Sequence, residues 1–154
     1  MPVSLRPVQA DDEDFLYRLF CHSVGDELNV LDGPQRDFIL RMQFTAQQQT
    51  YNAEFPNANH QMIMLDGRVI GRVLVERNDA EHRGVDIALM PEYRSGGIGT
   101  MLIQELLDEA ARVNKPFRIS VVRNNPALHL YDRLGFTTTG ESLTHVLLEW
   151  VAKR

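Results

Sequence analysis

The chain has 154 residues, 44% of them apolar and 24% charged, with a formal net charge of −5. That describes one ordinary globular domain, residues 1–154, with a single substantial core. The acidic balance and the scattered Arg and Lys argue against nucleic-acid binding, which needs a basic face. Cys21 is the only cysteine, so no internal disulfide forms and a small buried hydrophobe is expected there. The N-terminus shows no apolar signal core and no stretch approaches membrane-spanning length, so the expectation is a cytoplasmic protein without membrane contact.

Val3–Arg6 reads as a first strand. Asp11–Asp14 then supply an N-cap and a negative first turn for a helix whose apolar side is Phe15, Leu16, Leu19 and Phe20. Gly25–Gly33 reads as a loop. Pro34 suits the first turn of a second helix carrying Phe38, Met42 and Ala46, with glutamines 47–49 at a solvated end and an irregular stretch over residues 51–60. Gln61–Leu65 and Arg68–Val75 flank Asp66-Gly67, a two-residue hairpin signal. A further strand ends at Val85–Met90, and the chain turns at Pro91–Tyr93. Ile98, Leu102, Ile103, Leu106, Leu107, Ala110 and Ala111 then fall at three- and four-residue spacing, the pattern of an amphipathic helix reaching about Asn114. Phe117–Val122 carries apolar residues on both faces and reads as a buried strand. Pro126 and Gly135 bracket a short helix, and strands around Thr137–Thr139 and His145–Trp150 close the chain. Hairpins followed by helix, strand, helix and strands predict a mixed α/β sheet.

The most informative segment is Arg94-Ser95-Gly96-Gly97-Ile98-Gly99-Thr100, a glycine-rich turn opening the amphipathic helix. Such a turn aims unpaired backbone N–H groups and the positive end of the helix dipole at one point, which suits a phosphate-type anion. Arg94 adds a charge able to fork onto phosphate oxygens; a plain strand-to-helix turn is the bland alternative. A P-loop would need a lysine here, and the chain has only Lys115 and Lys153. A dinucleotide fingerprint would need a third glycine where Leu102 stands, and an acidic ribose partner that residues 117–123 lack.

Arg94-x-x-Gly97-x-Gly99 matches the Arg/Gln-x-x-Gly-x-Gly/Ala pyrophosphate loop of the GCN5-related N-acetyltransferases (GNAT). Asn124-Asn125-Pro126-Ala127-Leu128-His129-Leu130-Tyr131, with Gly135-Phe136 following, resembles the second signature of that family at the same distance. The two segments span residues 85 to 136, about a third of the chain.

The resemblance implies a mostly antiparallel sheet of about seven strands flanked by about four helices, splayed between the fourth and fifth strands. It implies acetyl-CoA as acyl donor, direct attack by a primary amine of a small molecule or peptide, and no metal. Leu89 and Met90 would hydrogen-bond the pantetheine and polarise the thioester. Ser95, Gly96, Gly97, Ile98, Gly99 and Thr100 would hold the pyrophosphate with Arg94. Asn124 would touch the pantetheine amide, or only cap its helix. Tyr131 would protonate the leaving sulfur, since a phenol of pKa near 10 keeps its proton at neutral pH; a packing tyrosine is the alternative.

Asp86, on an otherwise apolar strand, is the candidate to take the amine proton through water or to orient the ammonium. It equally suits an ion pair with Arg118. Glu76, His82 and Glu54 are weaker bases, and the five histidines show no metal-ligand spacing. Gln43, Gln47, Tyr51, Phe55 and His60 are plausible liners of an acceptor site, whose substrate the sequence does not name. A non-catalytic acyl-CoA-binding or regulatory module on the same fold is the competing function. A homodimer paired through the terminal strands is compatible with the sequence.

Overall fold

The computed structural model describes residues 3–24 and 33–153. Most of the expected Gly25–Gly33 loop therefore lies outside the described residues. The strands are β1 (Val3–Pro7), β2 (Asn59–Leu65), β3 (Arg68–Arg77), β4 (His82–Leu89), β5 (Phe117–Val122), β6 (Thr137–Glu141) and β7 (His145–Trp150). The helices are α1 (Glu13–Val24), α2 (Gly33–Glu54), α3 (Ile98–Arg112) and α4 (Leu128–Arg133). The strands hydrogen-bond in the order β1-β2-β3-β4-β5-β7-β6, a mixed seven-stranded open sheet. β1 runs antiparallel to β2, and β7 antiparallel to both β5 and β6.

β4 and β5 are parallel, and their ladder covers only His82↔Phe117, Arg83↔Arg118 and Gly84↔Ile119. β5, by contrast, pairs β7 along its whole length. Val85 and Asp86, just past the end of the parallel ladder, are half-buried although they sit in a central strand.

Two compact units make up the chain: residues 1–73 with 87–93, and residues 74–86 with 94–154. In the first, α1 and α2 bury Leu16, Tyr17, Phe20, Leu40 and Phe44 around Met62 of β2. Asp12 ends a short 3-10 turn, Ala10–Asp12, that leads into α1: its carboxylate accepts from the Gln9 amide at 2.7 Å and takes both Arg6 terminal nitrogens at 2.8 Å. Asp66 and Gly67 adopt φ of 50° and 81°, the two left-handed residues of a type I′ turn that matches strand twist.

The second helix buries a different face from the one expected. Leu40 and Phe44 are 5% and 3% exposed, whereas Phe38 and Met42 are 66% and 56% exposed. Both pairs are four apart, so periodicity alone does not choose between them. The helix also runs through glutamines 47–49 to Glu54, and Gln47 and Gln48 are half-buried rather than forming a solvated end.

In the second unit, α3 buries Ile98, Leu102, Ile103, Leu106, Leu107 and Ala110, the expected face. β5 buries Phe117, Ile119 and Val121, while Val122 is 46% exposed. It is thus a one-sided strand and not one buried on both faces. Arg118 and Ser120 point to the same side as Val122, opposite the core.

Candidate active site

The glycine loop takes the form the sequence anticipated. Gly97 is the N-cap of α3 with φ 87°, and Ser95 has φ 65°. The first helical bond is Met101 N–H to the Gly97 carbonyl at 3.0 Å. By helix geometry the amides of Ile98, Gly99 and Thr100 precede that bond and have no intrahelical acceptor. Ile98 is buried at 5% and anchors the helix start, while Arg94, Ser95, Gly96, Gly97 and Thr100 are exposed. A Cβ added at Gly96 or Gly97 would meet no atom within 4 Å, so the loop opens onto free space. The helix-start amides and the dipole point out of the same exposed loop that carries Arg94, an arrangement chemically suited to a phosphate-type anion.

In the same unit, Tyr131 is 6% exposed on α4. The Phe136 ring packs edge-on against it at 5.2 Å, and Phe136 in turn packs on Phe117 at 6.2 Å. Gly135, at φ 98°, makes the reversal that brings Phe136 back onto the helix. Burial first, and the Asp86 charge second, push the Tyr131 phenol up to about 12. The two candidate catalytic groups therefore lie within electrostatic reach of each other.

Arg118, the alternative partner for Asp86, faces Arg83 in register; it donates to Glu149 at 2.8 Å and Glu81 at 3.0 Å. Asn124 is not the cap of α4. The Asn125 side chain accepts from the Ala127 amide at 2.8 Å, and Asn124 is exposed.

His82 is 5% exposed at the start of β4, with Nδ1 3.5 Å from a Glu109 carboxylate oxygen that Arg77 also binds. Burial is the main force holding its imidazole below the usual value. Glu76 accepts from Asn78 in the β3–β4 connection, and Glu54 is exposed at the end of α2. These three weaker bases hold structural or surface positions.

In the first unit, Met90 donates its N–H to the Ile70 carbonyl at 2.8 Å. That amide is committed to β3, which corrects the expectation that both Leu89 and Met90 serve a ligand. Alternation along the extended strand turns the Leu89 amide the opposite way. Gly71 of β3 lies directly against this strand end: an added Cβ would stand 2.2 Å from the Ala88 carbonyl oxygen and 3.1 Å from Leu89 Cα.

Of the acceptor-side candidates, Gln43 is exposed, Gln47 and Tyr51 are half-buried on α2, Phe55 follows α2, and His60 sits on β2. What sequence reasoning missed is Arg72, 4% exposed on β3. Its guanidinium donates to Gln47 Oε1 at 3.0 Å and Gln48 Oε1 at 3.2 Å, and lies 5.6 Å from the Tyr51 ring centroid. An arginine inside the apolar run Ile70–Val75 was the available signal, because a charge there demands polar partners.

The family model described as the Acetyltransferase (GNAT) family matches residues 28–136. The chain belongs to the GNAT family. Its match begins ahead of α2 and takes in both sequence signatures, so the glycine loop and Tyr131 both stand inside it. Among solved GNAT-type structures, the PaiA N-acetyltransferase of Thermoplasma acidophilum in complex with coenzyme A is similar at a TM-score of 0.73 and 16% identity, over 99% of this chain and 100% of that one. An acetyltransferase from Thermus thermophilus gives 0.70 and 16%, over 99% and 98%. The ribosomal-protein-S18-alanine N-acetyltransferase of Escherichia coli gives 0.64 and 14%, over 97% and 94%. At these identities the likeness is one of fold. No curated relative matches the sequence.

Proposed function

We propose that residues 1–154 act as one cytoplasmic, acetyl-CoA-dependent N-acetyltransferase, passing the acetyl group to a primary amine by direct attack and using no metal. The observation that carries this reading is the α3 opening, with three helix-start amides behind an exposed glycine loop, in a chain of this family. Acetyl-CoA supplies the activated thioester. The amides of Ile98, Gly99 and Thr100, the Ser95 and Thr100 hydroxyls and Arg94 hold the pyrophosphate. Gly96 and Gly97 admit it close to the backbone. The Leu89 amide is assigned to the pantetheine and to the developing negative charge on the carbonyl oxygen. Asn124, released from capping, is left for the pantetheine amide.

Magnitudes define the role of Tyr131. Burial holds its phenol up to about 12, so Tyr131 keeps its proton at neutral pH. It serves as the protonated donor that stabilises the sulfur as charge develops on it. Asp86, whose charge acts on Tyr131, is assigned to receive the amine proton through water, or to fix the ammonium before deprotonation.

Thermal unfolding with acetyl-CoA, CoA, NAD and ATP tests the cradle. A ligand at about 100 times its Kd adds roughly 2.7 kcal/mol, a rise of about 5–10 °C for a chain of this size. A shift with the CoA species alone is expected; a larger shift with NAD or ATP overturns the reading. CoA binding without turnover of any primary amine would leave an acyl-CoA-binding module instead. Tyr131→Phe should lower kcat by roughly 10²-fold with CoA affinity kept; full turnover in that variant removes the sulfur-donor role.

A further inference from the structure

We infer that Gln47 and Gln48, locked by Arg72, form a bank of amide N–H donors that selects an acceptor amine bearing a carbonyl or carboxylate oxygen beside its nitrogen over a plain alkyl diamine. The inference rests on the acetyltransferase reading and deepens it by naming the acceptor class.

The argument begins with hydrogen-bond inventory. Arginine has only donors, so both glutamine side chains must turn their oxygens toward it, whatever their local alternatives. The contacts agree: Arg72 meets Oε1 of Gln47 at 3.0 Å and Oε1 of Gln48 at 3.2 Å. Each amide nitrogen, with two N–H bonds, is thereby turned away from Arg72. Neither nitrogen has a hydrogen-bond partner among the described residues, and both side chains are half-buried rather than sealed. Arg72 is 4% exposed and sits in a fully buried stretch of β3, so it does not swing aside to release them.

The arginine that holds the bank is one residue along β3 from a contact with the β4 strand end. Arg72 follows Gly71, which abuts Ala88 and Leu89, the strand end assigned to the thioester. Donors fixed in this way reward an oxygen on the acceptor and offer nothing to a second ammonium. The class is an α-amino carbonyl compound, either a free amino-acid amide or a peptide N-terminus.

The test titrates alaninamide, a hexapeptide with N-terminal alanine, and 1,4-diaminobutane into the CoA-loaded protein by calorimetry, and measures turnover of each with acetyl-CoA. Expected is a preference of at least tenfold for the carbonyl-bearing amines over the diamine, and the small amide and the peptide separate the two sources of the same chemistry. The double variant Gln47→Glu, Gln48→Glu keeps oxygens for Arg72 and removes the donors. It should lose at least tenfold in KM for the favoured amine, with the CoA Kd changed by less than twofold, while the diamine, whose second ammonium now meets carboxylates, is used better. Equal use of the diamine, or unchanged selectivity in the double variant, overturns the inference. Failure to bind CoA is a different result, which overturns the acetyltransferase reading itself.

Discussion

Gly71→Ala places a methyl group where the β4 backbone already stands. The ideal Cβ lies 2.2 Å from the Ala88 carbonyl oxygen and 3.1 Å from both Leu89 Cα and Leu89 Cδ2. Ordinary contact begins at 3.4 Å, so the carbonyl must retreat by about 1 Å. The obstruction is backbone, held by the neighbouring Met90 N–H to Ile70 carbonyl bond at 2.8 Å, and no rotamer change relieves it. Overpacking of this kind costs about 2–3 kcal/mol, a fall of roughly 5–10 °C in Tm for a chain near 150 residues. Differential scanning calorimetry measures it, with Gly33→Ala as the control because a Cβ there meets nothing within 4 Å. CoA affinity should fall with it, since the displaced strand end carries Leu89. A Gly71→Ala protein melting within about 1 °C of wild type, with the Met90 amide still protected from exchange, would refute the close-approach argument.

Gly96→Ala makes the opposite split: with open space around that Cβ, Tm should hold within about 1 °C while CoA affinity falls roughly tenfold, the first read by scanning calorimetry and the second by calorimetric titration. Phe44→Ala should cost about 3–5 kcal/mol in denaturant unfolding and Phe38→Ala less than about 0.5, because the first ring is 3% exposed and the second 66%. For His82, burial lowers the folded-state pKa, so the unfolded chain binds the proton more readily and stability falls as pH drops below about 6.5. Glu109, held low chiefly by its bond to Arg77, adds a further loss as pH falls below the ordinary carboxylate range. Tm measured from pH 7.5 to 5 should decline in wild type and more shallowly in His82→Gln; parallel curves would remove His82 as the titrating group.

The parts legible from the chain were those with a local cause. Asp66-Gly67 declares a turn because its backbone angles are costly for most other residues. The α3 stripe and the Gly97 start are equally local. The errors arose where two local patterns were equivalent and packing decided. Phe38 and Met42 form as good an apolar spacing as Leu40 and Phe44, and only the position of α1 and Met62 separates them. Asn124 and Asn125 are both competent to close a turn, and the structure uses the second. Arg118 was an equal candidate for Asp86 until β7 placed Glu149 opposite it. The donor bank on α2 was invisible for a related reason: Gln47 and Gln48 acquire direction only from an arginine 24 residues or more away in sequence.

The interleaving of the two compact units bears on how this chain is made. The first unit draws on residues 1–73 and again on 87–93, with residues 74–86 belonging to the second. A ribosome delivers residues in order, so the first unit lacks its last strand segment until Tyr93 has cleared the exit tunnel, and the Ile70 carbonyl waits for the Met90 amide throughout that interval. Ribosome-stalled nascent chains ending shortly after Val73 should therefore remain protease-sensitive, and splitting the gene at that point should yield an N-terminal half that acquires structure only when the C-terminal half, which carries residues 87–93, is supplied with it.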